Sequence, residues 1–150
     1  MRWTVYLGGE IHSDWRERIA EGVESHKLDV DLVGPVTDHE ASDDCGVSVF
    51  GAESDPFWHD HKGGKLNAVR TRTLLSRCDV AVVRFAGKYR EWNAAFDAGY
   101  AVALGKPLIT VHGPELRHAL KEVDAAAHGV AEHPEQVVAA LRYVLMGTLG

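Results

Sequence analysis

The chain has 150 residues, a mass of 16.4 kDa, and 45% hydrophobic and 25% charged residues. That size and balance fit a single folded domain over residues 1–150 and exclude a disordered or fibrous chain. The net charge of −6 is uneven, with 4 Lys/Arg against 14 Asp/Glu in residues 1–60 and 12 against 8 in residues 61–150, so no concentrated basic patch is available to a nucleic-acid polymer.

In chain order, Val5-Tyr6-Leu7 reads as a short buried strand ended by Gly8-Gly9. Ser13 or Asp14 then caps a helix reaching about His26, with Trp15, Ile19 and Val23 at helical spacing. Leu28 to Val33 alternates as a second strand, and Gly34-Pro35 stops it. From Val36 to Lys65 the periodicity dissolves into a long connection, a feature usually tied to function in a compact domain. Leu66 to Arg77 is helical. Val80-Ala81-Val82-Val83 is a continuous apolar run, the mark of a central parallel strand. A helix over Asn93–Leu104 ends at Gly105 and Pro107, which suit a C-terminal cap and stop. Leu108 to Val111 is another buried strand, Glu115 to Ala127 a helix, Gly129 to Ala131 a short edge strand, and Glu135 to Met146 a last helix.

Strands alternating with helices give an α/β class. Right-handed crossovers and five strands predict a doubly wound, five-stranded parallel sheet in the order 2-1-3-4-5, flavodoxin- or Rossmann-like, with helices on both faces. Ligands of such sheets sit beyond the carboxyl ends of the strands, which directs attention to the turns after Leu7, Val33, Arg84 and Val111.

The first of these turns reads Gly8-Gly9-Glu10-Ile11-His12-Ser13. Its two glycines allow close backbone approach to a ligand, but the pair is too short for a dinucleotide fingerprint, and Glu10 would repel a polyphosphate. The helix after the central strand opens at the same edge. Asn93 and Asp97, four residues apart, share one of its faces, and Glu91 lies just before it. A carboxylate kept ionised by the positive helix end in a partly dry cleft is a good nucleophile toward a sugar carbon. An ordinary Asp complementing the helix dipole is the competing account.

These residues carry a resemblance. Phe96-Asp97-Ala98-Gly99-Tyr100-Ala101, followed by Gly105-Lys106-Pro107, resembles the signature helix of the nucleoside 2-deoxyribosyltransferase superfamily, in which an acidic nucleophile precedes Gly-Tyr-Ala and Gly-Lys-Pro. Val5-Tyr6-Leu7-Gly8-Gly9 resembles that superfamily's first strand and turn. Over roughly residues 3 to 146 the chain resembles the YtoQ family, a branch of that superfamily, through Gly9-Glu10-Ile11-His12-Ser13, Trp15-Arg16, Gly34-Pro35, His39 with Ser42-Asp43, Asn67 with Arg70-Thr71, and Lys88-Tyr89 with Trp92-Asn93. The resemblance implies Asp97 as nucleophile, Glu91 as a substrate-orienting acid and Tyr6 in the active site. Substrate contacts are expected from Gly8, Gly9, Glu10 and His12 in the turn, from Trp92 and Asn93 at the helix start, and from Arg70. Two departures stand out. The superfamily nucleophile is normally Glu, one methylene longer than Asp97, and the helix-start Asp of the transferases is missing from Asn67-Ala68-Val69-Arg70-Thr71, where Arg70 suits an anionic substrate.

The expected function is therefore cleavage or transfer at the N-glycosidic bond of a nucleoside or nucleotide, without organic cofactor or metal. A non-catalytic nucleotide-binding or sensing module on the same fold is the alternative. A third reading, a metal-dependent hydrolase built on His59 and His61, lacks a His-Glu-x-x-His motif, and a solvated loop fits them better. Asp79 is expected to be structural, Cys45 and Cys78 form no disulfide framework, and Arg84, Lys88 and Arg90 make a charged loop compatible with a phosphate contact. With no apolar run of about 18 residues and no apolar signal segment at Met1–Leu7, no membrane partner and a cytoplasmic location are expected. The resemblance and the aromatics Trp58, Tyr89, Trp92 and Tyr143 on surface segments predict a homodimer or homotetramer, with a partner ordering the long connection.

Overall fold

The structure is a computed structural model that describes residues 1–149. Five strands appear in chain order: β1 (Trp3–Gly9), β2 (Val30–Val33), β3 (Val80–Arg84), β4 (Leu108–Val111) and β5 (Gly129–Ala131). They form a five-stranded sheet in the order β2-β1-β3-β4-β5, with every pairing parallel. The helices are α1 (Trp15–Ser25), α2 (His39–Phe50), α3 (Pro56–Arg77), α4 (Trp92–Ala103), α5 (Lys121–Ala126) and α6 (Pro134–Met146). The doubly wound order expected from the sequence is the order observed.

Alternate residues of the central strands feed two cores. Val5, Leu7, Val80 and Val82 pack with Trp15 and Ile19 of α1 and with Val137, Val138 and Leu141 of α6. Tyr6, Ala81 and Val83 face the other side, with Leu75 of α3 and Ala94, Ala98 and Ala101 of α4. Both faces of β1 and β3 are covered, which explains why these strands read as apolar runs rather than as an alternation. The buried side of α4 is all alanine, so its backbone lies close to the sheet. Asp79 holds the opposite, amino edge, where its Oδ2 accepts the Thr4 amide at 2.8 Å.

The long connection differs from expectation. Residues 36–65 are largely helical: α2 and the first half of α3 form a hairpin whose two helices pack against each other. Its start signals are conventional. The Asp38 side chain accepts the Ala41 amide, the Asp55 side chain accepts the Phe57 amide, and Pro56 opens α3. What hides the hairpin is how it packs. A Cβ on Gly46 would sit 2.3 Å from the backbone of Lys62 and Gly63, and one on Gly63 would sit 2.7 Å from the Asp43 carbonyl oxygen. The helices thus meet through glycines, and no apolar stripe is needed. Lys62 ties α3 to the turn that joins the two helices, reaching Glu53 at 2.6 Å and the Gly51 carbonyl at 3.0 Å.

Two smaller expectations are also corrected. Residues 115–127 are not one helix: a 3-10 turn at Pro114–Leu116 precedes the short α5. Neither Ser13 nor Asp14 caps α1 with its side chain. The turn before α1 is satisfied by Glu10 instead.

Candidate functional site

A cleft of about 780 Å³ opens at the carboxyl edge of the sheet, between the turn after β1, the start of α4 and the α2–α3 hairpin. Its first wall is Gly9-Glu10-Ile11-His12. The path of this turn is dictated by Gly9, whose φ of +102° and whose position, with a Cβ falling 2.0 Å from the Arg84 carbonyl oxygen, exclude other residues. Gly8 lies outside the lining. Its role is to make room, since a Cβ there would collide with the Tyr6 ring at 2.5 Å.

The floor is α4. Asp97 faces the cleft, and one of its carboxylate oxygens accepts the Tyr6 hydroxyl at 2.9 Å. Tyr6 is fully buried, and the close approach of α4 through Ala94 and Ala98 brings the two side chains together. Burial, with the nearby Asp97 charge and hydrogen bond, pushes the Tyr6 phenol far up, so it remains a donor. Burial likewise pushes Asp97 up to about 6, with the Tyr6 hydrogen bond opposing it. The expected help from the helix dipole is outweighed: Asp97 is the sixth residue of α4, beyond the first turn where that effect is felt.

Asn93 and Glu91 line the same cleft. Glu91 sits at the N-cap of α4 without capping it. Its carboxylate turns back to accept the Ala86 amide at 2.9 and 3.1 Å and the Gly87 amide at 3.5 Å, which fixes the loop between β3 and α4. From that loop Tyr89 reaches across to the His12 ring, with centroids 4.6 Å apart, so both rings stand at the mouth. Trp92 does not join them: it is 72% exposed, outside the cleft and beneath the Arg90 guanidinium.

The far wall is α2, which sequence periodicity missed, together with the stretch of α3 that falls within the helix expected over Leu66–Arg77. It contributes His39, Ser42 and Asp43 from α2 and Asn67, Arg70 and Thr71 from α3, the residues of two of the quoted resemblance motifs. Asn67 latches the two helices by donating to the Ser42 carbonyl at 3.1 Å and to its hydroxyl at 3.2 Å. Arg70 donates to the Gly34 carbonyl at 3.2 Å, joining this wall to the end of β2. Chain positions as distant as 12, 43, 70 and 97 therefore share one cavity.

Two contacts went unanticipated. Arg84 pairs with Glu10, Nε to Oε1 at 3.0 Å, rather than joining a solvated loop. Arg16 donates to the carbonyls of Leu7, Gly9 and Glu10, at 3.2, 3.3 and 2.6 Å, and so clamps the first turn from behind. The signal for the first lay in strand register, since Gly9 pairs with Arg84 across β1 and β3.

The metal reading finds no cluster. Among the described residues no group of three or more His, Cys, Asp or Glu is arranged to hold an ion. His59 pairs with Asp44 at 3.1 Å, while His61 packs on Phe57 and Trp58. Cys45 and Cys78 are both free. No helix among the described residues is long and apolar enough to cross a membrane.

Comparison with known proteins bears on this geometry. The family described as "Nucleoside 2-deoxyribosyltransferase YtoQ" matches residues 6–145. A Bacillus subtilis (strain 168) protein, "Uncharacterized protein YtoQ", is 41% identical over 144 residues, covering 96% of this chain and 97% of the relative. Among solved structures, a 2-deoxyribosyltransferase from Bacillus psychrosaccharolyticus is similar with a TM-score of 0.55 at 15% identity, over 92% of this chain and 95% of that one. A conserved protein from Enterococcus faecalis V583 is similar with a TM-score of 0.61 at 14% identity, over 97% and 100%. At such identities the structural likeness establishes the shared fold.

Proposed function

The chain belongs to the nucleoside 2-deoxyribosyltransferase YtoQ family, and from that premise we propose that it cleaves or transfers at the N-glycosidic bond of a nucleoside or nucleotide. The observation that carries the reading is the Asp97 carboxylate, held on the cleft floor by the buried Tyr6 hydroxyl and pushed up to about 6. At neutral pH such a group is ionised, yet less hydrated than a surface Asp, and it keeps lone pairs free for a carbon centre.

In the proposed reaction an Asp97 oxygen attacks C1′ of the sugar. The C1′–N bond breaks, its electron pair leaves with the base, and the base takes up a proton. Water or a second base then attacks C1′ and releases the carboxylate, as in retaining glycoside chemistry. Tyr6 holds the attacking carboxylate in one orientation. Asn93, on the same face of α4, holds the sugar hydroxyls. Glu91, engaged with the Ala86 and Gly87 amides, positions the loop that carries Tyr89. His12 and Tyr89 offer ring faces to the base at the mouth.

The test is base release. A panel of nucleosides and 5′-monophosphates is incubated with the protein, with and without an acceptor base, and free base is followed by chromatography. Release that disappears in Asp97→Asn supports the proposal. Full activity in that variant sinks it, and saturable binding without release favours the sensing module. We further propose a homodimer or homotetramer, motivated by the exposed aromatics Trp58, Trp92, Phe96 and Tyr143. A mass by light scattering near the 16.4 kDa of one chain overturns that assignment.

A further inference from the structure

In open α/β sheets the turn after the first strand is a natural place for an anion, because backbone N–H groups converge there and the next helix begins. Here the donors converge as expected. The His12 amide, the Ser13 amide, the Ser13 hydroxyl and the Arg84 guanidinium all point to one place. That place is filled by the chain itself. Glu10 Oε2 accepts the His12 amide at 2.7 Å and the Ser13 amide at 3.0 Å, and Oε1 accepts the Ser13 hydroxyl and Arg84 Nε, the latter at 3.0 Å. Two backbone amides, a hydroxyl and a guanidinium form the donor set that commonly receives a phosphate. The Glu10 side chain is only 3% exposed, and the Arg16 clamp on the Glu10 carbonyl holds its backbone in place.

We infer that Glu10 is a built-in occupant of the anion cradle after β1, and that it is a specificity determinant excluding phosphate from this wall of the cleft. The inference rests on the proposed N-glycosidic function for its meaning, but the cradle can be tested without it. A phosphate reaching the Gly9–His12 wall finds its donors already engaged and meets a fixed negative charge in a partly dry setting, where like charges repel strongly. The arginines of the other walls are partly committed: Arg70 donates to Gly34, and Arg90 stacks over Trp92. Arg72, exposed, also lines the cleft on the side of α3.

The experiment titrates inorganic phosphate into the wild type and into Glu10→Ala, at ionic strength matched with chloride, and reads thermal unfolding together with the backbone amide resonances of His12 and Ser13. Glu10→Ala vacates the cradle and should bind phosphate roughly tenfold or more tightly than the wild type, with a rising Tm and saturable shifts at both amides. Glu10→Gln, which keeps the cradle filled, should gain nothing. Saturable phosphate shifts at these amides in the wild type overturn the inference, as does a folded Glu10→Ala that shows none. If Glu10→Ala does not fold, competition in the wild type decides: nucleosides displaced by their own 5′-monophosphates with equal or better affinity would overturn it, and weaker monophosphates support it. If no nucleoside is bound or cleaved at all, the proposed function fails, while the phosphate titration still judges the cradle.

Discussion

Asp97 on the floor of the cleft and Glu10 in its first wall are both largely withdrawn from water, yet their surroundings act on them in opposite directions. Burial pushes Asp97 up to about 6, opposed by the Tyr6 hydrogen bond. Burial pushes Glu10 up as well, but the Ser13 hydroxyl, the His12 and Ser13 amides and Arg84 together outweigh it and hold the group below its usual range. Depth alone therefore does not decide what a buried acid does. A carboxylate whose lone pairs are taken by surrounding donors is scaffold, and one left with few donors keeps electron density for a reacting atom. The contrast comes from position: Glu10 lies in a turn where free amides converge, while Asp97 lies in the second turn of a helix whose amides are used internally.

The sharpest way to break the comparison is Asp97→Asn. Glycosidic activity should fall on the order of 10²-fold or more, read as kcat/KM for base release. In the wild type the same group should give an acid limb near pH 6, since attack requires the ionised form. Stability should move the other way. The folded-state pKa of Asp97 lies above its ordinary 3.8, so the folded protein holds the proton more tightly and the ionised group disfavours the fold above about pH 6. Asp97→Asn should thus unfold at higher temperature near neutral pH, by about 1–3 kcal/mol in free energy, with the advantage shrinking as pH falls from about 6 toward 4. An equal gain at every pH would remove burial of the charge as its cause.

Glu10→Gln sharpens the other half. The folded-state pKa of Glu10 is depressed, so its contribution is present above its ordinary 4.5 and is lost as pH falls below that value. The variant should cost about 1–3 kcal/mol near neutral pH, because Arg84 loses its charge partner, and the difference from wild type should narrow in acid, measured by denaturant unfolding. A smaller effect is expected of Tyr6→Phe. Removing the one group that lowers the Asp97 pKa should move the acid limb of activity upward and reduce kcat/KM at pH 7 by roughly three- to tenfold. An unmoved limb would mean that Tyr6 serves packing alone.

The sheet was legible because β1, β3 and β4 are buried on both faces and α1 and α6 carry conventional apolar stripes. Asp97, Asn93 and the Gly8-Gly9 turn were legible as members of one edge, since strand order alone brings those segments together. The α2 half of the far wall was not, although Asp38 and Asp55-Pro56 announce the helices of the hairpin, because Gly46 and Gly63 pack backbone against backbone and leave no periodic trace, whereas its other half, Asn67 to Thr71, falls in the helix read over Leu66–Arg77. Nor was the opposite fate of the two carboxylates. The Glu10–Arg84 pair joins residues 74 apart in the chain and depends on the register of β1 on β3. The Tyr6–Asp97 bond depends on how closely an alanine-faced helix approaches the sheet.

The smallest predicted effect is a control on that helix. Gly99 lies on α4 two residues beyond Asp97, is exposed, and has open space where a Cβ would stand. Alanine restricts the unfolded chain more than glycine and favours the helical backbone, so Gly99→Ala should stabilise the protein by about 0.5–1 kcal/mol. It changes no charge and fills no contact, so the gain should be the same at pH 5 and pH 8. Any gain in Asp97→Asn combines release of a buried charge with whatever the substitution does to helix propensity, and only the first of these varies with pH. Thermal unfolding of the two variants side by side separates them. A flat profile for Gly99→Ala and a sloping one for Asp97→Asn assign the slope to the carboxylate, whereas parallel profiles would mean that α4 responds to helix propensity alone and that Asp97 is as comfortable in its place as Glu10.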